Sequence, residues 1–162
     1  SAASDVYKRQ PIVFIEKAAK IFPDRYSIIH GNKYFTWEQT FTRCKKLASS
    51  LSQKLTKGDT VGFIASNTPE LYEAHFAVPM AGMILNAINY RLDSKTIAYI
   101  IDHSDIKMLF VDTEFLQLAK EAVSLSKEKP IKECLELANK VAGISTTKLG
   151  AGDAMPFIKD LS

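Results

Sequence analysis

Residues Asp59–Asp112 hold three short apolar runs separated by two segments of helical period, and that alternation leaves few architectures open. Thr60–Ala65, Met83–Ile88 and Lys107–Val111 have the length of strands and are bounded by turn residues. Apolar strands alternating with helices are the pattern of parallel βαβ units, whose sheet is covered on both faces. Asn86, inside the second run, needs a hydrogen-bond partner wherever it is buried. The first strand empties into Ser66-Asn67-Thr68-Pro69-Glu70, a helix start. Asn67 or Thr68 can cap free backbone N–H groups, Pro69 has no N–H to leave unpaired, and Glu70 suits the positive helix end. Asp93 serves the second helix in the same way, with Thr96 three residues on.

Upstream, Pro11–Phe22 reads as an amphipathic helix with Val13, Phe14, Ala18 and Ile21 on its apolar side and Lys17 and Lys20 outside. Ser27–His30 and Lys33–Thr36 flank Gly31-Asn32, a two-residue link suited to a hairpin turn with positive φ. Thr36 and Gln39 have the spacing of a capping box, which opens a helix reaching about Gln53. Its apolar face is Phe41, Cys44, Leu47, Ala48 and Leu51. Downstream, Glu114–Leu125 is helical by period, Ser126–Pro130 is a polar break, and Ile131–Val141 suits one more helix. The expected division is therefore residues 1–10, unstructured or foreign to the domain; residues 11–125, one α/β domain; and residues 126–162, a tail without assignment. The expected fold is a mostly parallel sheet flanked by helices, with an N-terminal β-hairpin.

Charge excludes some functions. The 21 Lys and Arg are scattered and nearly balanced by 18 Asp and Glu, so no basic stripe for nucleic acid exists. The apolar run Leu71–Ile88 is interrupted by Glu73, His75, Pro79, Gly82 and Asn86, which a lipid-facing helix tolerates poorly; no membrane span is expected. Cys44 and Cys134 are distant in sequence and lie in no metal-ligand spacing, so they read as thiols of a reducing compartment. That compartment is the cytoplasm, with the peroxisome open to a eukaryotic source.

Individual chemistry is sparse. Asn67-Thr68 could hold an anion at a helix N-terminus, but the glycines that let phosphate approach backbone are missing, and capping accounts for both residues. His75 has the pKa of a general base and no acid or nucleophile beside it in sequence, so packing is the better account. Arg91 can bind an anion or cover a helix end, and Trp37 reads as a core anchor. Gly143–Gly150 mixes hydroxyls, Lys148 and glycines without the order of a phosphate loop. Gly150-Ala151-Gly152-Asp153 resembles the anion-hole motif of sugar kinases related to ribokinase; a solvated loop explains four residues as well.

A wider resemblance is carried by phrases kept in order: FIEKAAKIFPDR (Phe14–Arg25), YFTWEQT (Tyr34–Thr40), LASSL (Leu47–Leu51), GDTVGFIASNTP (Gly58–Pro69) and HFAVPMAG (His75–Gly82). NAINYRLD (Asn86–Asp93), IAYIIDHS (Ile97–Ser104) and MLFVD (Met108–Asp112) complete the set. Together they resemble the adenylate-forming superfamily, specifically its acyl-CoA synthetases, over Pro11–Leu125. The resemblance implies a parent enzyme that joins a short, medium or aromatic carboxylic acid to ATP and then to coenzyme A, with Mg as metal. It also implies that the phosphate loop, the Thr-Glu motif, the ribose aspartate and the catalytic lysine all lie beyond the matched region. No catalytic, cofactor-binding or metal-binding residue is therefore carried over onto this chain. Neither ATP, Mg nor coenzyme A is expected to bind this part tightly, and its partner is the rest of the parent chain. Apolar residues around Leu71–Leu85 are then expected to lack part of their cover. The competing expectation is a non-catalytic α/β module that binds a nucleotide or a protein using these residues alone.

Overall fold

A computed structural model describes residues 2–126 and 133–137, with side chains for residues 11–126. In chain order its elements are α1 (Ala2–Ile21), β1 (Tyr26–His30), β2 (Lys33–Thr36), α2 (Trp37–Lys54), β3 (Thr60–Ile64) and α3 (Pro69–Met80). β4 (Ile84–Ile88), α4 (Ser94–His103), β5 (Ile106–Asp112), a 3₁₀ turn at Thr113–Phe115, α5 (Leu116–Leu125) and β6 (Glu133–Leu137) follow. Four strands form one sheet in the order β4-β3-β5-β6, and every neighbouring pair in it is parallel. β1 and β2 form a separate antiparallel hairpin. This is the expected α/β architecture, with Gly31 at φ +55° supplying the left-handed turn of the hairpin.

Local signals place the helices. The Gln39 N–H donates to Thr36 Oγ1 at 3.3 Å, and the Thr36 N–H donates to Gln39 Oε1 at 2.9 Å, closing the capping box of α2. The Thr96 N–H and hydroxyl both donate to the Asp93 carboxylate at the start of α4, which holds that carboxyl below the usual range. β3 lies at the centre and is buried along its whole length. Its alternating side chains serve two cores. Val61 and Phe63 join Met108 and Phe110 under α2 and α3, whereas Ile64 joins Leu109 and Val111 under α4 and α5. Gly62 takes no side chain because a Cβ there would meet Ile106 Cδ1 and Leu109 Cδ1 at 2.9 Å. Asn86 finds the partner it needs, donating from Nδ2 to Ser104 Oγ at 2.8 Å.

Three expectations change. The first helix begins at Ala2, so residues 2–10 are helical rather than unstructured; Ala, Lys, Arg and Gln there are good helix formers, and they outweigh Pro11 inside the helix. Among its described side chains, residues 11–21, Ile15 is fully buried, while Val13, Phe14 and Ile21 stay exposed. Ala18 of the expected apolar face is half-buried, so the side of α1 facing α2 and α3 runs through Ile15 and Ala18 rather than Val13, Phe14 and Ile21. In the tail, the helix expected over Ile131–Val141 is replaced by strand β6. The residues Cys134, Leu135 and Leu137 fit either period, and the free edge of β5, whose backbone groups need partners, decides for the strand.

Candidate functional site

The amino end of α3 and the outer side of β1 enclose an open cleft of ≈ 570 Å³. Ile28, Ile29, Leu71 and Phe76 give it apolar walls, and Ser27, His30, Asn67, Thr68, Tyr72 and His75 bring polar atoms to it. The strand-to-helix signal explains one wall. β3 ends at Ile64, the chain turns through Ser66 and Asn67, and Thr68 caps α3 by accepting the Leu71 N–H on Oγ1 at 3.5 Å. The opposite wall is the hairpin. It is held by Ser27 Oγ, which reaches the carbonyls of Phe35 and Thr36 at 3.1 Å and pairs with Thr40 Oγ1 at 2.5 Å.

Two of the sequence candidates meet here. Asn67-Thr68 and His75 line the same cleft, and neither Arg91 nor Trp37 is among its lining residues. His75 is exposed and donates from Nδ1 to the Leu71 carbonyl at 2.7 Å. The carbonyl can only accept, so that bond calls for a proton on Nδ1. The Ser27 hydroxyl, which lines the same cleft, is committed to the hairpin carbonyls. Arg91 is exposed, its N–H donates to Asn89 Oδ1 at 3.0 Å, and its guanidinium lies over Tyr90. Trp37 is half-buried, edge-to-face with Phe14 at 5.7 Å, at the rim of the core rather than its centre. Lys148, Gly143–Gly150 and Gly150–Asp153 lie outside the described residues.

α2 and α3 share a buried ion pair that the sequence did not single out. Arg43 Nη2 donates to Glu73 Oε2 at 3.0 Å and Arg43 Nε to Glu73 Oε1, with Glu73 1% exposed. Arg43 also lies over the Phe35 ring, 4.4 Å from its centroid, which ties the hairpin to the pair. Burial pushes the Glu73 carboxyl up, and Arg43 draws it partly back. A signal for the pair existed. Arg43 stands in the apolar register of α2 beside Cys44, and Glu73 stands in an apolar helix, so each needed a buried partner. Among the described residues, no three His, Cys, Asp or Glu side chains converge as a metal site. No helix among them is long and apolar enough to cross a membrane.

Cys44 is a free, buried thiol that touches the Glu73 carbonyl at 3.6 Å. Burial, with Glu73 adding to it, pushes its pKa well above the ordinary thiol range. Because the thiolate is the nucleophile, Cys44 is expected to resist alkylation in the folded chain, on the order of 10³-fold more slowly than an exposed thiol, and to react when the domain opens. Maleimide labelling of a Cys134→Ser chain, with and without urea, reads this directly. Rapid native labelling would show that α2 and α3 part easily.

The sequence profile described as AMP-binding enzyme matches residues 15–157, well past Leu125, where the resemblance read from the sequence ends. A peroxisomal acetate/butyrate–CoA ligase of Arabidopsis thaliana is 45% identical over 120 residues, 74% of this chain and 21% of the relative. A peroxisomal trans-cinnamate:CoA ligase of Petunia hybrida is 52% identical over 116 residues, 71% of this chain and 20% of the relative. Among solved structures, a benzoate CoA ligase from Burkholderia xenovorans superposes with a TM-score of 0.71 at 15% identity, over 78% of this chain and 25% of that one. At that identity the likeness speaks for the fold alone. The chain spans about a fifth of the length of the curated relatives it matches.

Proposed function

Because the chain belongs to the AMP-binding enzyme family, we propose that it is part of an enzyme that activates a carboxylic acid with ATP. The acid becomes an acyl-adenylate with release of pyrophosphate, and the acyl group then passes to coenzyme A as a thioester. The observation that carries this reading is the 45–52% identity to acetate/butyrate– and trans-cinnamate–CoA ligases. Identity of that order over 116–120 residues supports the same structural role in the same kind of enzyme. The acid is of the short, medium or aromatic class. ATP, Mg and coenzyme A serve the whole enzyme, and the compartment is a reducing one, cytoplasm or peroxisome.

Within that enzyme the described region acts as scaffold. Attack on the α-phosphate crowds negative charge around phosphorus, and its catalysis rests on positioning and on preorganised donors. The cleft contributes an imidazole, an amide and a capped helix end, with neither a glycine-rich cradle nor a lysine among its lining residues. Two assays of ATP–pyrophosphate exchange test the division of labour. The 162-residue chain alone is expected to show no acid-dependent exchange. A Petunia trans-cinnamate:CoA ligase carrying residues 11–125 in place of its own segment is expected to keep exchange within about tenfold, about 1.4 kcal/mol. A soluble, inactive chimera would overturn the reading. Acid-dependent exchange by the chain alone, abolished in Lys148→Ala, would move the chemistry into the tail.

A further inference from the structure

The hairpin is attached to the protein differently from the other strands. Among the described residues β1 and β2 pair with each other and with no strand of the four-stranded sheet. A two-stranded hairpin is marginal in water unless something else holds it. This one buries little: Ile28 is the one buried side chain of its two strands, and Tyr26, Ile29 and Tyr34 are 54–65% exposed. Its neck is closed by the Trp37 N–H, which donates to the Arg25 carbonyl at 2.9 Å, and by the Glu38 N–H, which donates to the Pro23 carbonyl at 3.2 Å. Above the neck, side chains tie it down. Ser27 Oγ meets Thr40 Oγ1 of α2, and the Phe35 ring lies 4.4 Å from the Arg43 guanidinium. Arg43 is itself held by Glu73 of α3 through Nε and Nη2. Lys33 Nζ stands 3.8 Å from Glu70 Oε1, a buried oxygen with no hydrogen-bond partner among the described residues. Both ionic contacts end on α3, one turn apart.

We propose that the hairpin is a flap that opens as a unit while the sheet stays folded, latched from α3 through Glu73, Arg43 and Phe35, with Lys33 and Glu70 as a second, half-engaged catch. Opening the flap exposes Ile28 and the Phe35 ring, whereas opening the sheet exposes both cores, so the flap is the first part to open. The geometry of Arg43 makes α3 the latch. A guanidinium bound to a carboxylate through two nitrogens is fixed in the plane of that carboxylate, and its flat face is left for an aromatic ring. Without the Glu73 charge, Arg43 regains its rotamers and no longer offers Phe35 a fixed face. A change on α3 thus reaches the hairpin through a side chain of α2. Lys33 adds to this from the turn, because a small movement of the flap toward α3 would bring its ammonium within hydrogen-bond reach of Glu70 Oε1.

Native-state hydrogen exchange of the 162-residue chain, read peptide by peptide in a mass spectrometer, separates residues 26–36 from β3 and β5. In the parent chain the flap is expected to exchange at least roughly tenfold faster than β3, through local opening. Glu73→Gln keeps the shape of the side chain and removes its charge; it is expected to speed the flap by about another factor of ten relative to β3. Phe35→Leu leaves the ion pair in place and is expected to speed the flap by a similar factor with β3 and β5 unchanged. Equal protection of flap and sheet in the parent, or variants that speed both alike, would mean that the hairpin opens only with the whole domain, and would overturn the proposal. A flap that opens early but exchanges at the parent rate in Phe35→Leu would overturn the latch. If Glu73→Gln does not fold, Phe35→Leu decides. Exchange protection does not depend on acid activation, so this result is separate from that of the chimera.

Discussion

Phe110→Ala is expected to remove about 3–5 kcal/mol of unfolding free energy, the largest loss of any single side chain in the sheet. Phe110 on β5 stands in register with Phe63 on β3, and both are 1% exposed. Their rings stack at 4.6 Å between centroids and 16° between planes, under the contact of α2 and α3. Alanine would remove the ring from the centre of the larger core and leave Phe63 facing a cavity that two packed strands cannot close. Domains of this size are typically stable by about 5–15 kcal/mol, so the variant should be close to half unfolded under mild denaturant. Urea titration followed by circular dichroism gives the number, with Phe110→Leu as a volume-sparing comparison that should lose much less. A loss below about 1 kcal/mol would mean that the two strands are not packed in this register.

The second large effect comes from Glu73. Removing its carboxylate as Glu73→Ala takes from the buried Arg43 guanidinium the group that accepts from both its Nε and its Nη2, and breaking a buried pair in this way costs about 3–5 kcal/mol. Arg43→Met should lose a similar amount for the mirror-image reason. The double variant Arg43→Met with Glu73→Leu should recover to within about 1 kcal/mol of the parent, because an apolar pair of like volume carries no desolvation cost. The recovery is the informative part. Additive losses across the cycle would show that the two groups do not act as one unit.

What could be read from the sequence was what neighbouring residues settle between themselves. The caps at Thr36 and Asp93, the Gly31 turn and the three strands between Asp59 and Asp112 depend on spacings of two to four residues, and the structure repeats them. What could not be read depends on partners far along the chain. Arg43 and Glu73 are thirty positions apart, and only the packing of α2 on α3 joins them. Residues 133–137 fit a helix or a strand until the edge of β5 is beside them. The cleft shows the same limit: Asn67 and His75 stood out singly, but the wall that makes a cleft of them comes from β1.

The position of β3 in the sheet has a consequence in time as well as in space. Its neighbours on either side are both later in the chain, β4 after one crossover and β5 after two. On a ribosome adding about 5–20 residues per second, a strand encoded roughly 50 residues downstream arrives about 2–10 s later. Until β4 emerges about halfway through that interval, this fully buried strand has neither flanking strand to pair with, and to its end it lacks β5. α1, the antiparallel hairpin and α2, which precede β3 in the described chain, give it a folded surface to lean on. The packing of α2 against β3 through Leu47 and Leu51 is therefore also the first shelter of the nascent sheet.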